Sequence, residues 1–61
     1  MTPADLASAL LGKPITSTRI AKCLRHLTSR EGYQAFLEAL PEDLRAMVRG
    51  QLDAGVEKKF A

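Results

Sequence analysis

The sequence predicts an all-α domain, a compact bundle of three to four short helices. Three observations favour this fold class. Apolar residues recur at intervals of three and four along much of the chain, which is the spacing of an amphipathic helix. Glycine and proline fall between these stretches, where they interrupt helices. No alternating run of β-branched or aromatic residues remains that would predict a strand.

The composition limits the size of the domain and the chemistry it can carry. The chain has 61 residues, of which 46% are hydrophobic and 26% charged, so it is apolar enough to fold as one domain. A core this small typically yields only ~3–5 kcal/mol, and we expect homodimerisation to complete the bundle. One Cys and one His allow neither an internal disulfide nor a four-ligand zinc site, so no metal or cofactor is expected.

Targeting signals are not recognisable in this sequence. Its first residues lack a basic cluster, and the longest strongly apolar stretch is only three residues long, at positions 9–11. A single Cys suits a reducing compartment. We therefore expect a cytoplasmic protein with no membrane contact.

The first helix is predicted over residues 3–11. Thr2 is its candidate N-cap, Pro3 suits the first helical position, and Asp5 lies near the positive end of the helix dipole. Gly12 is expected to end the helix. The predicted apolar stripe consists of Leu6, Leu10 and Leu11.

The second helix is predicted from Thr16, as N-cap, to about Leu27. Ile15 and Ile20 then occupy the two positions of a hydrophobic staple. At about 100° per residue, one side of this helix is apolar and the other is basic. The apolar side holds Ile20, Leu24 and Leu27, and the basic side holds Arg19, Lys22, Arg25 and His26.

A capping box formed by Thr28 and Glu31 predicts the start of the third helix. Pro41 disfavours helical geometry at the residue before it and suits the first turn of a fourth helix. Gly55 is expected to end that helix and to leave residues 55–61 as a tail or a frayed last turn. The two predicted stripes are Tyr33, Phe36, Leu37 and Leu40, and then Leu44, Met47, Val48 and Leu52.

Enzymatic chemistry is not predicted. Cys23 and His26 are three residues apart on one helix, but a nucleophile also needs an oriented base, a third group and oxyanion donors. Cys23 borders the apolar side of its helix and is expected to be a buried hydrophobe. A helical chain of this length offers little volume for a catalytic cleft, so no small-molecule substrate is expected.

The charges alternate by segment along the chain. The net charge is +2, but residues 13–30 carry five basic residues and no acid, and residues 31–43 carry four acids and no base. The basic block permits an anionic partner such as duplex DNA. The acidic block favours a protein partner or a second copy of the chain.

A short stretch across the second and third helices resembles the spacing of a helix-turn-helix. Ala21 would be the small residue at which the two helices cross, and Ser29 would start the second of them. The position usually held by glycine in the turn carries Arg25 or His26. Outward acids on the third helix, Glu31 and Glu38, would repel phosphates.

Two functions follow, both non-enzymatic. The first is a small DNA-associated regulator that uses a basic second helix, and the alternative is a protein-interaction or oligomerisation module acting on a larger partner through its charged faces. In the first, Ser29, Arg30 or Gln34 would reach base edges. The residues predicted to contact DNA or a partner are Lys13, Arg19, Lys22, Arg25, His26, Ser29, Arg30 and Gln34.

Overall fold

The computed structural model describes all 61 residues and contains four α-helices and no strand, which confirms the predicted all-α bundle. The helices are α1 (Pro3–Leu11), α2 (Ser17–His26), α3 (Arg30–Glu38) and α4 (Glu42–Lys59). None of them is both long and apolar enough to cross a membrane.

The helices pack as two pairs that are not consecutive along the chain. α1 packs against α3, and α2 packs against α4, while α1 also touches α2 and α3 also touches α4. α2 and α3 make no contact with each other, although only three residues separate them. The bundle measures 30 × 20 × 19 Å, and one side of α2 is left facing solvent.

The core consists of thirteen buried residues, all of them hydrophobic. Phe36 and Val48 are fully buried at its centre. Two predicted core positions are wrong, because Leu11 is 40% exposed and Met47 is 42% exposed. Ala7, one turn before Leu11 on the same side of α1, is buried, whereas Leu11 is the last residue of the helix.

Side-chain caps define the starts of the first three helices. The Thr2 hydroxyl accepts a hydrogen bond from the Asp5 amide, and the Thr16 hydroxyl accepts one from the Arg19 amide, as predicted. The predicted Thr28 cap is wrong by one residue: the Ser29 hydroxyl accepts from the Gly32 amide at 2.9 Å. Leu27 leaves α2 in an extended conformation and enters the core, which shifts the start of α3 along the chain.

The predicted tail at residues 55–61 is also wrong, because α4 continues through Gly55 to Lys59. Val56 is 2% exposed, so this last part of the helix belongs to the core. Gly55 serves close packing instead of helix termination. A Cβ atom at this position would lie 2.6 Å from Cδ2 of Leu24 on α2.

No residue of the chain has a positive φ, so none of the helices ends in a left-handed glycine motif. The free carbonyl oxygens at the end of α1 instead accept hydrogen bonds from Arg19 of α2. Its guanidinium donates to the carbonyl oxygens of Ala9 at 2.7 Å and Leu10 at 3.0 Å, and to two carbonyls of the following turn. Those two belong to Lys13 and Pro14, at 2.8 and 2.9 Å.

Basic side chains from neighbouring helices also reach the ends of the other three helices. Lys59 donates to the Leu24 carbonyl near the end of α2, at 2.6 Å. Arg45 donates to the Leu37 carbonyl at the end of α3, at 2.9 Å, and Arg30 donates to the carbonyl that follows α4, at 3.3 Å. We call Arg19, Arg30, Arg45 and Lys59 the capping cations.

Candidate anion-binding surface

Arg19 does not project outward as predicted. The expectation was that it would face solvent together with Lys22 and Arg25, but its side chain is only partly exposed and is held by four carbonyls. The physical reason is that α1 has no basic residue in its own last turn and leaves carbonyl oxygens without helical donors. Arg19 is therefore part of the fold.

Arg30 and Ser29 are likewise committed within the chain. Arg30 forms the only ion pair of the structure, with Nη1 3.2 Å from Oε1 of Glu57, and it also caps α4. The Ser29 hydroxyl is occupied as the N-cap of α3. The prediction that these side chains would read base edges is therefore wrong. Gln34, the third residue of that prediction, lies apart from α2, in a cleft between α3 and α4.

Five of the eight predicted residues are exposed and unpaired; four of them are basic, and the fifth is Gln34. Lys13, Lys22 and Arg25 lie on or just before α2 and have no carboxylate within 4 Å, because the Arg30–Glu57 pair is the only ion pair present. His26 is exposed on the last turn of α2. The uncompensated positive charge of the basic block is therefore concentrated at and around α2.

An open depression of about 310 Å³ lies on the solvent side of α2, and it is lined by Thr18, Ala21, Lys22 and Arg25. Thr18, Lys22 and Arg25 follow the spacing i, i+4 and i+7, which places a hydroxyl, an ammonium and a guanidinium along one helix face. The small side chain of Ala21 leaves room between them. We call these four residues the α2 face.

The α2 face includes two residues that the sequence did not assign to a binding site. Thr18 is not among the predicted contacts, although its spacing from Lys22 and Arg25 places it on their side of the helix. Ala21 was expected at a helix crossing. It is exposed, and α2 does not contact α3, so the predicted helix-turn-helix packing is wrong.

The cleft between α3 and α4, of about 410 Å³, is a second polar feature. The Tyr33 hydroxyl donates to Oδ1 of Asp53 at 2.5 Å, and burial, together with this carboxylate, raises the pKa of Tyr33. Arg49 and Gln34 also line the cleft. Because acids and bases are mixed there, the cleft has no single charge preference.

Cys23 is buried, as predicted, with 5% of its surface exposed. Burial raises the pKa of its thiol, and the charge of Arg19 opposes that effect. The thiol donates to the Arg19 carbonyl at 3.4 Å. A raised pKa reduces the thiolate fraction and with it the nucleophilicity of the group.

No three His, Cys, Asp or Glu side chains are close enough together to hold a metal ion. Comparisons with known proteins give no match: no family model, no curated protein and no solved structure is significantly similar to this chain.

Proposed function

We propose that this chain is a non-enzymatic, DNA-associated helical protein that contacts the phosphate backbone through the α2 face and Lys13. The observation that carries this proposal is the presence of exposed cations without a partner on one helix. Lys22 and Arg25 share an open depression with the Thr18 hydroxyl, and no acid lines it. Arg19 and Arg30 donate to carbonyls at helix ends, whereas Lys22 and Arg25 have no partner within the chain.

The chemistry of the α2 face suits phosphate oxygens. Arginine and lysine side chains and hydroxyl groups are the usual donors to DNA phosphates, and backbone contacts of this kind position a protein without reading sequence. From Thr18 to Arg25 the helix rises about 10 Å, which is enough to follow a few phosphates. With α2 and α3 apart, we propose backbone binding and not base readout.

The test is the salt dependence of binding to a fluorescein-labelled duplex, followed by fluorescence anisotropy. Three phosphate contacts, from Lys13, Lys22 and Arg25, predict that log affinity falls with log salt with a slope of about 2.7. Between 50 and 200 mM salt the affinity should therefore fall about 40-fold. A slope near zero, or no binding at 50 mM salt, would refute the proposal.

A matched pair of double variants tests the location of the contacts. Lys22→Gln with Arg25→Gln should lower the slope by about 1.8, because two phosphate contacts are lost. Arg49→Gln with Lys58→Gln removes the same charge from exposed positions on α4 and should leave the slope unchanged. Equal losses in the two variants would mean that net charge, and not the α2 face, determines binding.

A further inference from the structure

An open groove lies between α1 and α2, on the side of α2 next to the α2 face. Its floor is apolar and is lined by Leu6, Leu10 and Cys23, which are buried, and by Met1 and Ala9, which are exposed. Lys22 and His26, one helical turn apart on α2, lie along its rim. The groove has a volume of about 180 Å³ and opens to solvent.

The charges at the groove are all of one kind. No acidic residue lines it, and the third basic residue there, Arg19, already donates its hydrogen bonds to carbonyls. Lys22 and His26 have no hydrogen-bond or ion-pair partner in the chain. An occupant therefore needs an apolar group for the floor and negative charge beside it.

The volume indicates which kind of occupant fits. Pockets that enclose a whole small molecule usually measure about 300–1,000 Å³. At about 180 Å³ this groove holds one side chain, which is how a partner protein anchors an amphipathic helix. Two carboxylates one turn apart on that helix would match the spacing of Lys22 and His26.

We infer that the groove between α1 and α2 docks an acidic amphipathic helix of another protein, which inserts one apolar side chain beside Ala9. This surface is separate from the DNA-contacting residues except for Lys22, which lines both. The inference does not depend on DNA binding. Peptide docking requires contact with the apolar floor of the groove, whereas the phosphate backbone of DNA contacts only the basic side chains.

Selection from a phage-displayed library of random dodecapeptides tests this inference. The expected result is enrichment of sequences that carry an apolar residue flanked by Asp or Glu at helical spacing. One enriched peptide, synthesised with a fluorophore, then serves as the probe for anisotropy titrations. Failure to enrich, or enrichment of sequences without acids, would overturn the inference.

Two pairs of variants locate the peptide on the protein. Ala9→Phe fills the groove and should weaken peptide binding at least ten-fold, while Ala4→Phe, on an exposed position of the same helix outside the groove, should not. Lys22→Glu should weaken it similarly, while Lys58→Glu should not. Far-UV circular dichroism checks the fold of each variant, and equal effects within either pair would overturn the inference.

The same variants distinguish this site from the proposed DNA contact. Ala9→Phe should abolish peptide binding and leave the affinity for duplex DNA unchanged, because Ala9 lies outside the α2 face. Arg25→Gln should weaken DNA binding and leave peptide binding unchanged, because Arg25 does not line the groove. Either function can therefore fail while the other stands.

Discussion

Replacing Arg19 by Gln tests whether a residue that the sequence assigned to a binding surface instead holds the fold together. The guanidinium donates to the carbonyls of Ala9, Leu10, Lys13 and Pro14 over distances of 2.7–3.0 Å. Hydrogen bonds to a charged group contribute about 1.5–3 kcal/mol when sheltered. Most of these bonds are exposed, so we count about 0.5 kcal/mol for each and expect a loss of about 2 kcal/mol.

That loss is large for a domain of this size. A chain of about 60 residues typically has only ~3–5 kcal/mol of stability, so Arg19→Gln should remove close to half of it. With about 4–8 °C of melting temperature per kcal/mol, the midpoint should fall by roughly 10–15 °C. Urea titration and thermal melting, both followed by circular dichroism at 222 nm, measure the two quantities.

Arg25→Gln is the control for this experiment. It removes the same charge from the same helix, but Arg25 is exposed and has no partner, so the free energy of unfolding should change by less than about 0.5 kcal/mol. Arg19→Lys keeps the charge without the planar fork of donors and should fall between the two. If Arg19→Gln costs no more than Arg25→Gln, the four carbonyl contacts do not stabilise the protein.

Four further predictions concern other parts of the chain. Gly50→Ala should raise the free energy of unfolding by about 0.5–1 kcal/mol, because nothing lies near its Cβ position. Gly55→Ala should give no such increase in the native sequence, but it should do so when Leu24 is already truncated to Ala, and urea titration measures each variant. Cys23 should react with a thiol reagent at pH 8 at least ten-fold more slowly in the native protein than in guanidinium, and rapid native labelling would contradict its burial. Replacing this residue, as in Cys23→Ala, should leave DNA affinity unchanged. The pKa of Tyr33 is higher in the folded state, so its contribution to stability is complete below pH 10 and falls as the pH rises further, by up to about 1.4 kcal/mol per pH unit. Urea titrations at several pH values should show that Tyr33→Phe removes this part of the pH dependence. Homodimerisation, expected from the small core, predicts a sedimentation mass of twice 6.7 kDa, and a native monomer at 100 µM would refute it. If the second copy covers the exposed apolar side chain of Met47 on α4, Met47→Glu should restore the monomer mass.

The sequence predicted the helices well because their signals are local. Thr2 and Thr16 cap the helices that their spacing indicated, and Pro41 separates α3 from α4 as expected. The errors arise where tertiary packing overrides a local signal. Glycine is a typical residue at a helix end, but Gly55 lies inside α4, where α2 approaches so closely that a Cβ atom would displace the Leu24 side chain.

The candidate site was only partly predictable for a related reason. A basic residue on the solvent side of a helix is the same pattern whether it binds a partner or reaches the carbonyl end of a neighbouring helix. Arg19 and Lys22 could not be told apart without knowing that α1 ends beside α2. The helix-turn-helix spacing failed likewise, because it did not encode that α2 pairs with α4 and α3 with α1.

The capping cations make the stability of each helix depend on a neighbour. α2 supplies the cap of α1, α4 supplies the caps of α2 and α3, and α3 supplies the cap of α4. Opening α2, α3 or α4 therefore removes donors from the end of another helix, and α1 in turn depends on α2, which couples their unfolding. We expect the backbone amides of all four helices to exchange with deuterium at closely similar free energies of opening, as in a single cooperative unit. A fragment that ends before Lys59 would lose the cap of α2, thirty-five residues earlier in the chain.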